Sequence, residues 1–122
     1  MNIWLAIFLG GGTGSIARFG ISRLVLWMDL RSAFPWATLF SNLIATAFLA
    51  FLMFRFQSEL QDRVVLRAFL MIGFCGGFST FSTFSQENFM LIREGFPLFA
   101  FLNISISVIA CLLIFYILAR TS

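Results

Sequence analysis

Gly73-Phe-Cys-Gly-Gly-Phe-Ser-Thr-Phe-Ser-Thr-Phe-Ser-Gln-Glu87 is the stretch whose reading decides the fold. It lies inside an apolar run that begins at Val64 and continues to Ile92. A plain membrane-spanning helix has no use for Gly73, Gly76 and Gly77 followed by five hydroxyl residues. Adjacent glycines lift the steric restriction on the backbone, so helical geometry is left cheaply there. The hydroxyls that follow compete with the helix ladder for the freed N–H and C=O groups. In hydrocarbon such a break persists only where it is buried in protein or lines a wet cavity. The stretch therefore predicts a helix interruption over 73–80 near mid-membrane, where ion and substrate sites are commonly built. The competing reading of the glycines is close helix packing, since small residues let backbones approach.

Composition places the rest of the chain in the same setting. The 122 residues are 61% hydrophobic and 11% charged, against about a quarter charged in soluble domains. The class expected is an all-α integral membrane protein, one domain over 1–122. There is no His, which removes the usual neutral-pH titrating group and commonest metal ligand. Cys75 and Cys111 sit singly in apolar segments and read as packing residues rather than a redox pair. The net charge of +3 comes entirely from arginines and needs no nucleic-acid partner. Nothing in the pattern asks for an enzyme.

Four spans are expected, at about 3–28, 36–54, 64–92 and 98–119. The first contains Gly10-Gly-Gly-Thr-Gly14, then Arg18 and Arg23. Gly10 and Gly14 form a G-x-x-x-G pair, whose mechanism is close approach of two helices. Arg18 is either a snorkelling residue or a cation at the mouth of an aqueous vestibule. A turn at 29–35 follows, with Pro35 placed to start the second helix. On that helix Thr38, Asn42 and Thr46 recur every four residues and share one face. Asn42 is the costliest of them to leave facing lipid, because its amide has donors and acceptors to satisfy. In the third span Phe81 and Phe84 share a face, and Thr80, Thr83 and Glu87 share another. Glu87 is a carboxylate inside a span, which is a functional candidate with ion pairing to an arginine as the rival. In the fourth span Asn103, Ser107 and Cys111 form a second polar stripe, while Ser105 points elsewhere.

Four spans put both termini on one side. Arg55, Arg63, Arg67 and Arg120 then flank one face, and Arg31, Arg93 and Arg23 the other, with Arg18 deeper. So even a split gives the positive-inside rule little to act on, and the chain can insert both ways up. The polar stripes still need burial, which four short spans do not supply alone. An antiparallel homodimer answers both points, assembling from two copies the inverted repeat that larger transporters encode in one chain. Hydroxyls and amides can replace an anion's water shell, and phenylalanine ring edges carry partial positive charge. Weak binding of that kind allows release, which conduction requires.

Gly11 to Arg18, Thr38-Leu-Phe-Ser-Asn42 and Gly73 to Glu87 together resemble the CrcB/Fluc family of fluoride channels. The resemblance covers nearly the whole chain. It implies a fluoride-selective channel that passively exports fluoride and relieves its toxicity. It further implies a dual-topology homodimer in the plasma membrane (the bacterial inner membrane), multi-pass, with two pores and a sodium ion on the dimer axis. On motif positions, Phe81 and Phe84 would line the pore, Asn42 would be its amide, and Thr38, Ser82 and Thr83 its polar neighbours. Arg18 would be the vestibule cation, and backbone carbonyls of Gly76 and Ser79 would hold the sodium. In the fourth span Phe101/Ser105 and Asn103/Ser107 both fit the family pattern. A helix break exposes carbonyl oxygens, hard ligands for a hard cation, without selecting sodium over potassium or water. The rival function is a dual-topology, proton-coupled exporter with Glu87 as proton carrier. A packing scaffold without transport is a third.

Overall fold

The structure, a computed structural model, describes residues 1–29 and 33–121; Arg31, counted above among the flanking charges, lies outside them. Every regular element among the described residues is helical. Helix α1 (Ile3–Trp27) is capped by Asn2, whose side-chain oxygen accepts from the Leu5 N–H at 2.7 Å. Helix α2 (Trp36–Arg55) begins directly after Pro35, and a short α3 (Gln57–Gln61) follows it.

The third apolar segment is built in pieces. Helix α4 (Val64–Arg67) runs into a π-helical stretch, Ala68–Cys75, and then into the single turn α5 (Gly76–Phe78). Ser79 is extended at φ −85° and ψ 160°, and α6 (Ser82–Arg93) starts three residues later. The glycines are therefore not where the helix stops, and the non-helical residues are Ser79 to Phe81. π-Helical turns are rare and gather at functional sites, but an apolar run such as Ala68–Cys75 carries no sequence signal for one.

Helix α6 closes with Gly95 at φ +89°. The Phe96 N–H bonds Leu91 O at 2.7 Å and the Gly95 N–H bonds Ile92 O at 3.3 Å, the paired bonds of a Schellman cap. Pro97 then opens α7 (Pro97–Arg120) at its first position, where a missing N–H is harmless.

Three segments, Trp36–Arg55, Val64–Arg93 and Pro97–Arg120, are long and apolar enough to cross a membrane. Helix α1 spans 25 residues and is more polar, because its middle carries glycines and its second half two arginines. It packs along the π-helical stretch and α5, while α7 packs on α2 and α6. The α1 contact is made of backbone. A Cβ on Gly73 would meet the Gly10 Cα at 2.9 Å. One on Gly10 would strike Phe69 O, one on Gly14 Phe74 O, and one on Gly77 Gly11 O. Packing thus explains Gly10, Gly14, Gly73 and Gly77, while Gly76 meets nothing within 4 Å and is exposed.

The buried residues mix apolar side chains such as Leu39, Leu52, Phe78 and Leu91 with the polar Thr38, Ser41, Asn88, Asn103 and Ser107, and the largest fully buried side chains are Asn103 and Ser41. Many bulky apolar groups point outward, with Trp4 81% and Phe8 75% exposed on α1. So much exposed apolar surface suits a lipid surround or a second copy.

Gly14→Ala and Gly77→Ala should each destabilise the fold by about 1–3 kcal/mol, since the obstacle is backbone. Gly20→Ala meets only open space and should leave the melting temperature in detergent unchanged or slightly raised. Equal melting temperatures for all three variants would show that α1 does not seat here.

Candidate functional site

The site begins with the backbone that α5 and α6 leave unpaired. Asn42, midway along α2, meets it with both ends of its amide. The Thr80 N–H donates to Asn42 Oδ1 at 2.9 Å, and Asn42 Nδ2 donates to Thr80 O at 3.3 Å. One side chain thereby replaces two ladder bonds. The Ser79 N–H and hydroxyl both donate to Cys75 O at 3.0 Å, finishing α5. Thr80 Oγ1 accepts from the Thr83 N–H at 3.3 Å, which starts α6. Arg18 reaches across from α1, where its Nε donates to Gly77 O at 3.2 Å. Its two terminal nitrogens stay available for other partners.

A cleft of about 280 Å³ opens beside this knot. Asn42 and Thr46 of α2, Ser79 to Phe81 of the break, Phe84 of α6, and Ser107, Val108 and Cys111 of α7 line it. The rings of Phe81 and Phe84 lie 5.9 Å apart, tilted by 36°. Phe84 is buried, whereas Phe81 is 79% exposed and stands out from the chain at the edge of the cleft. Thr46 Oγ1 donates to Cys111 Sγ at 3.3 Å, across the α2–α7 seam. The cleft wall thus offers hydroxyls, an amide and two aromatic rings, and no charged side chain.

The remaining candidates fall elsewhere. Thr38 is buried one turn before Asn42, with its side chain beside the Glu87 carboxyl. The buried Glu87 Oε1 has no protein partner among the described residues. Glu87 borders two surface hollows, one with Ser22, Asp29 and Trp36, the other with Thr83 and Glu94. Helix α6 therefore presents two faces, Thr83/Glu87 toward the start of α2 and Phe84/Asn88 inward. Ser82 is exposed in the first turn of α6. Of the two fourth-span alternatives, Ser107 lines the cleft and Ser105 is half-buried outside that lining.

Asn88 escaped the sequence reading altogether. It accepts from Asn103 Nδ2 at 2.8 Å, and Asn103 Oδ1 accepts from the Ser107 hydroxyl at 3.3 Å. The available signal was an amide one helical turn beyond Phe84 in an apolar segment, which needs a buried partner. No cluster of three His, Cys, Asp or Glu occurs among the described residues. Gly76 is bare and exposed, which leaves its peptide approachable from outside.

Comparison with known proteins agrees in extent with this geometry. The profile of the family described as "CrcB-like protein, Camphor Resistance (CrcB)" matches residues 5–118. Among curated relatives named "Fluoride-specific ion channel FluC", that of Pyrococcus furiosus is 44% identical over 117 residues, covering 93% of each chain. That of Pyrococcus abyssi is 42% identical over 123 residues, covering 95% of this chain and 94% of the relative. The protein of that name from Coxiella burnetii strain CbuK_Q154 is 40% identical over 113 residues, 92% of this chain and 90% of the relative.

Replacing Asn42 by Leu removes both amide bonds and leaves the Thr80 N–H and C=O unpaired, at about 1–3 kcal/mol for each group. The melting temperature in detergent should fall, and the Thr80 amide should lose protection in hydrogen exchange. Unchanged Thr80 protection would mean that Asn42 does not close the break.

Proposed function

This chain belongs to the CrcB family, and from that premise we propose that it is a fluoride-specific ion channel through which fluoride leaves the cell passively, relieving its toxicity. The observation that carries the reading is the cleft wall, where Phe81 and Phe84 stand beside Asn42, Thr46 and Ser107 with no cation among them. Fluoride gives up hydration water only where donors replace it, and hydroxyls and the amide supply them. Ring edges complement the anion without trapping it as a guanidinium would. Binding stays weak enough to reverse, as rapid conduction demands. The protein is a multi-pass membrane protein of a channel family, not an enzyme.

Helix α1 joins the three apolar segments as a membrane span in this proposal, making four, and the interruption at Ser79 to Phe81 lies near mid-membrane. Two copies assemble antiparallel. The exposed ring of Phe81, the open side of the cleft and the bulky outward face of α1 all support a second copy as cover. The near-even arginine distribution supports dual topology. A sodium ion on the dimer axis would be held by carbonyls of Gly76 and Ser79, where it would fix the two interruptions against each other. Arg18, tied to Gly77 O by Nε, would turn its remaining N–H groups to the vestibule and raise the local anion concentration. The membrane is the plasma membrane, which in a bacterium is the inner one. Proton-coupled export through Glu87 is the weaker reading, because Glu87 stands apart from the residues that line the cleft.

Reconstituted in liposomes with a potassium ionophore to compensate charge, the protein should release fluoride rapidly and chloride near the background rate. Phe81→Ile or Phe84→Ile keeps apolar bulk but removes the ring. Fluoride flux should then fall at least about tenfold, a barrier increase of ~1.4 kcal/mol, with the sizing profile unchanged. Equal wild-type rates for the two anions would exclude the selective channel.

Dual topology has its own test. Adding two or three lysines to the 56–63 loop should fix one orientation and abolish flux. Co-expression with an oppositely biased version should restore it. Full activity from one biased version alone would exclude the antiparallel dimer.

A further inference from the structure

Serine and threonine hydroxyls inside helices default to the carbonyl four residues back. This chain follows that habit at Thr13, Ser22 and Ser79, which bond Leu9 O, Arg18 O and Cys75 O. Ser107 departs from it. Its hydroxyl donates to the side-chain Oδ1 of Asn103 at 3.3 Å, although the Asn103 backbone carbonyl occupies the same four-residue spacing. The side-chain oxygen is in reach because the far end of that amide is tied to α6, where Asn103 Nδ2 donates to Asn88 Oδ1 at 2.8 Å. Asn103 is wholly buried, and Asn88 and Ser107 are 6% and 7% exposed, so water is a poor substitute for any of the three.

We propose that Asn88 is a positioning residue of the fluoride path: by accepting from Asn103 it holds that amide where its oxygen keeps the Ser107 hydroxyl off the α7 backbone and at the wall of the cleft. The proposal rests on the reading of the cleft as part of that path. Asn88 itself does not border the cleft. The long Ser107–Asn103 bond is easily exchanged, so the hydroxyl turns to an arriving anion and returns when the anion leaves. Without the Asn88 acceptor the Asn103 amide is free to rotate. Ser107 then falls back on the Asn103 backbone carbonyl and offers the anion no donor. Asn88 also lies one turn beyond Phe84, so the same bond sets the spacing between the Phe84 ring on α6 and the hydroxyl on α7.

The test is a double-mutant cycle read as fluoride efflux from liposomes, with Asn88→Leu, Ser107→Ala and the double variant beside wild type. Each single substitution should lower fluoride flux about fivefold or more, and the double variant should conduct no worse than Ser107→Ala alone. Should leucine not give folded protein, Asn88→Ala, which adds no bulk, goes through the same cycle. A merely structural Asn88 would lower flux by the same factor whether or not Ser107 is present. That multiplicative outcome overturns the proposal, and so does wild-type flux in the Asn88 variant. A wild-type protein that conducts no fluoride would instead remove the path itself, and the proposal with it.

Discussion

The double hydrogen bond between the Asn42 amide and the Thr80 backbone is the constraint on which the rest of the arrangement depends. A chain that leaves helical geometry in an apolar surround exposes N–H and C=O groups, each costing several kcal/mol if nothing pairs them. A carboxylate can only accept, and a hydroxyl is too short to span both groups. An amide matches a peptide unit with one donor and one acceptor. By pairing those groups, Asn42 lets α5 end at Phe78 and α6 restart at Ser82. The Phe81 and Phe84 rings are delivered to the cleft as a consequence.

The interruption also needs an anchor on its other flank, and glycine supplies it. Gly10 and Gly14 on α1, and Gly73 and Gly77 opposite, bring two backbones into direct contact. Association in lipid relies on such packing, because hydrocarbon gives helices no hydrophobic reason to pair. The same approach brings Arg18 Nε within 3.2 Å of Gly77 O, so this cation is tethered to the helical turn just before the break. An arginine held by one nitrogen keeps its field and most of its donors while losing the freedom to follow an anion inward.

Around the cleft the chain spends its polar groups on one another. Thr46 is paired with Cys111, Ser107 with Asn103, and Asn42 with Thr80. The polar groups of the wall are already paired, so on the proposed path an anion would borrow donors rather than find them vacant. This is the condition for binding that is selective and yet brief. Glu87, by contrast, holds one unpaired buried oxygen away from the cleft, next to Thr38. On the proposed path, a carboxylate outside the lining would spare a passing anion its repulsion.

The sequence by itself determined the helical class, the membrane setting and the family. Length of apolar run, charge depletion and the Gly73 to Glu87 stretch are local properties that survive without knowledge of neighbours. It also marked Asn42, Phe81 and Phe84, because an amide and two rings among hydroxyls are conspicuous in an apolar segment. Tertiary structure decided what those residues touch. Gly73 and Gly77, which read as part of a break, proved to be contact points, because only the position of α1 shows which Cβ atoms have no room. Ser105 and Ser107 are indistinguishable by type, and only the rotation of α7 against α6 turns one to the cleft. Asn88 had no visible partner at a sequence distance of fifteen, since pairing across two helices follows from their packing and not from their periodicity.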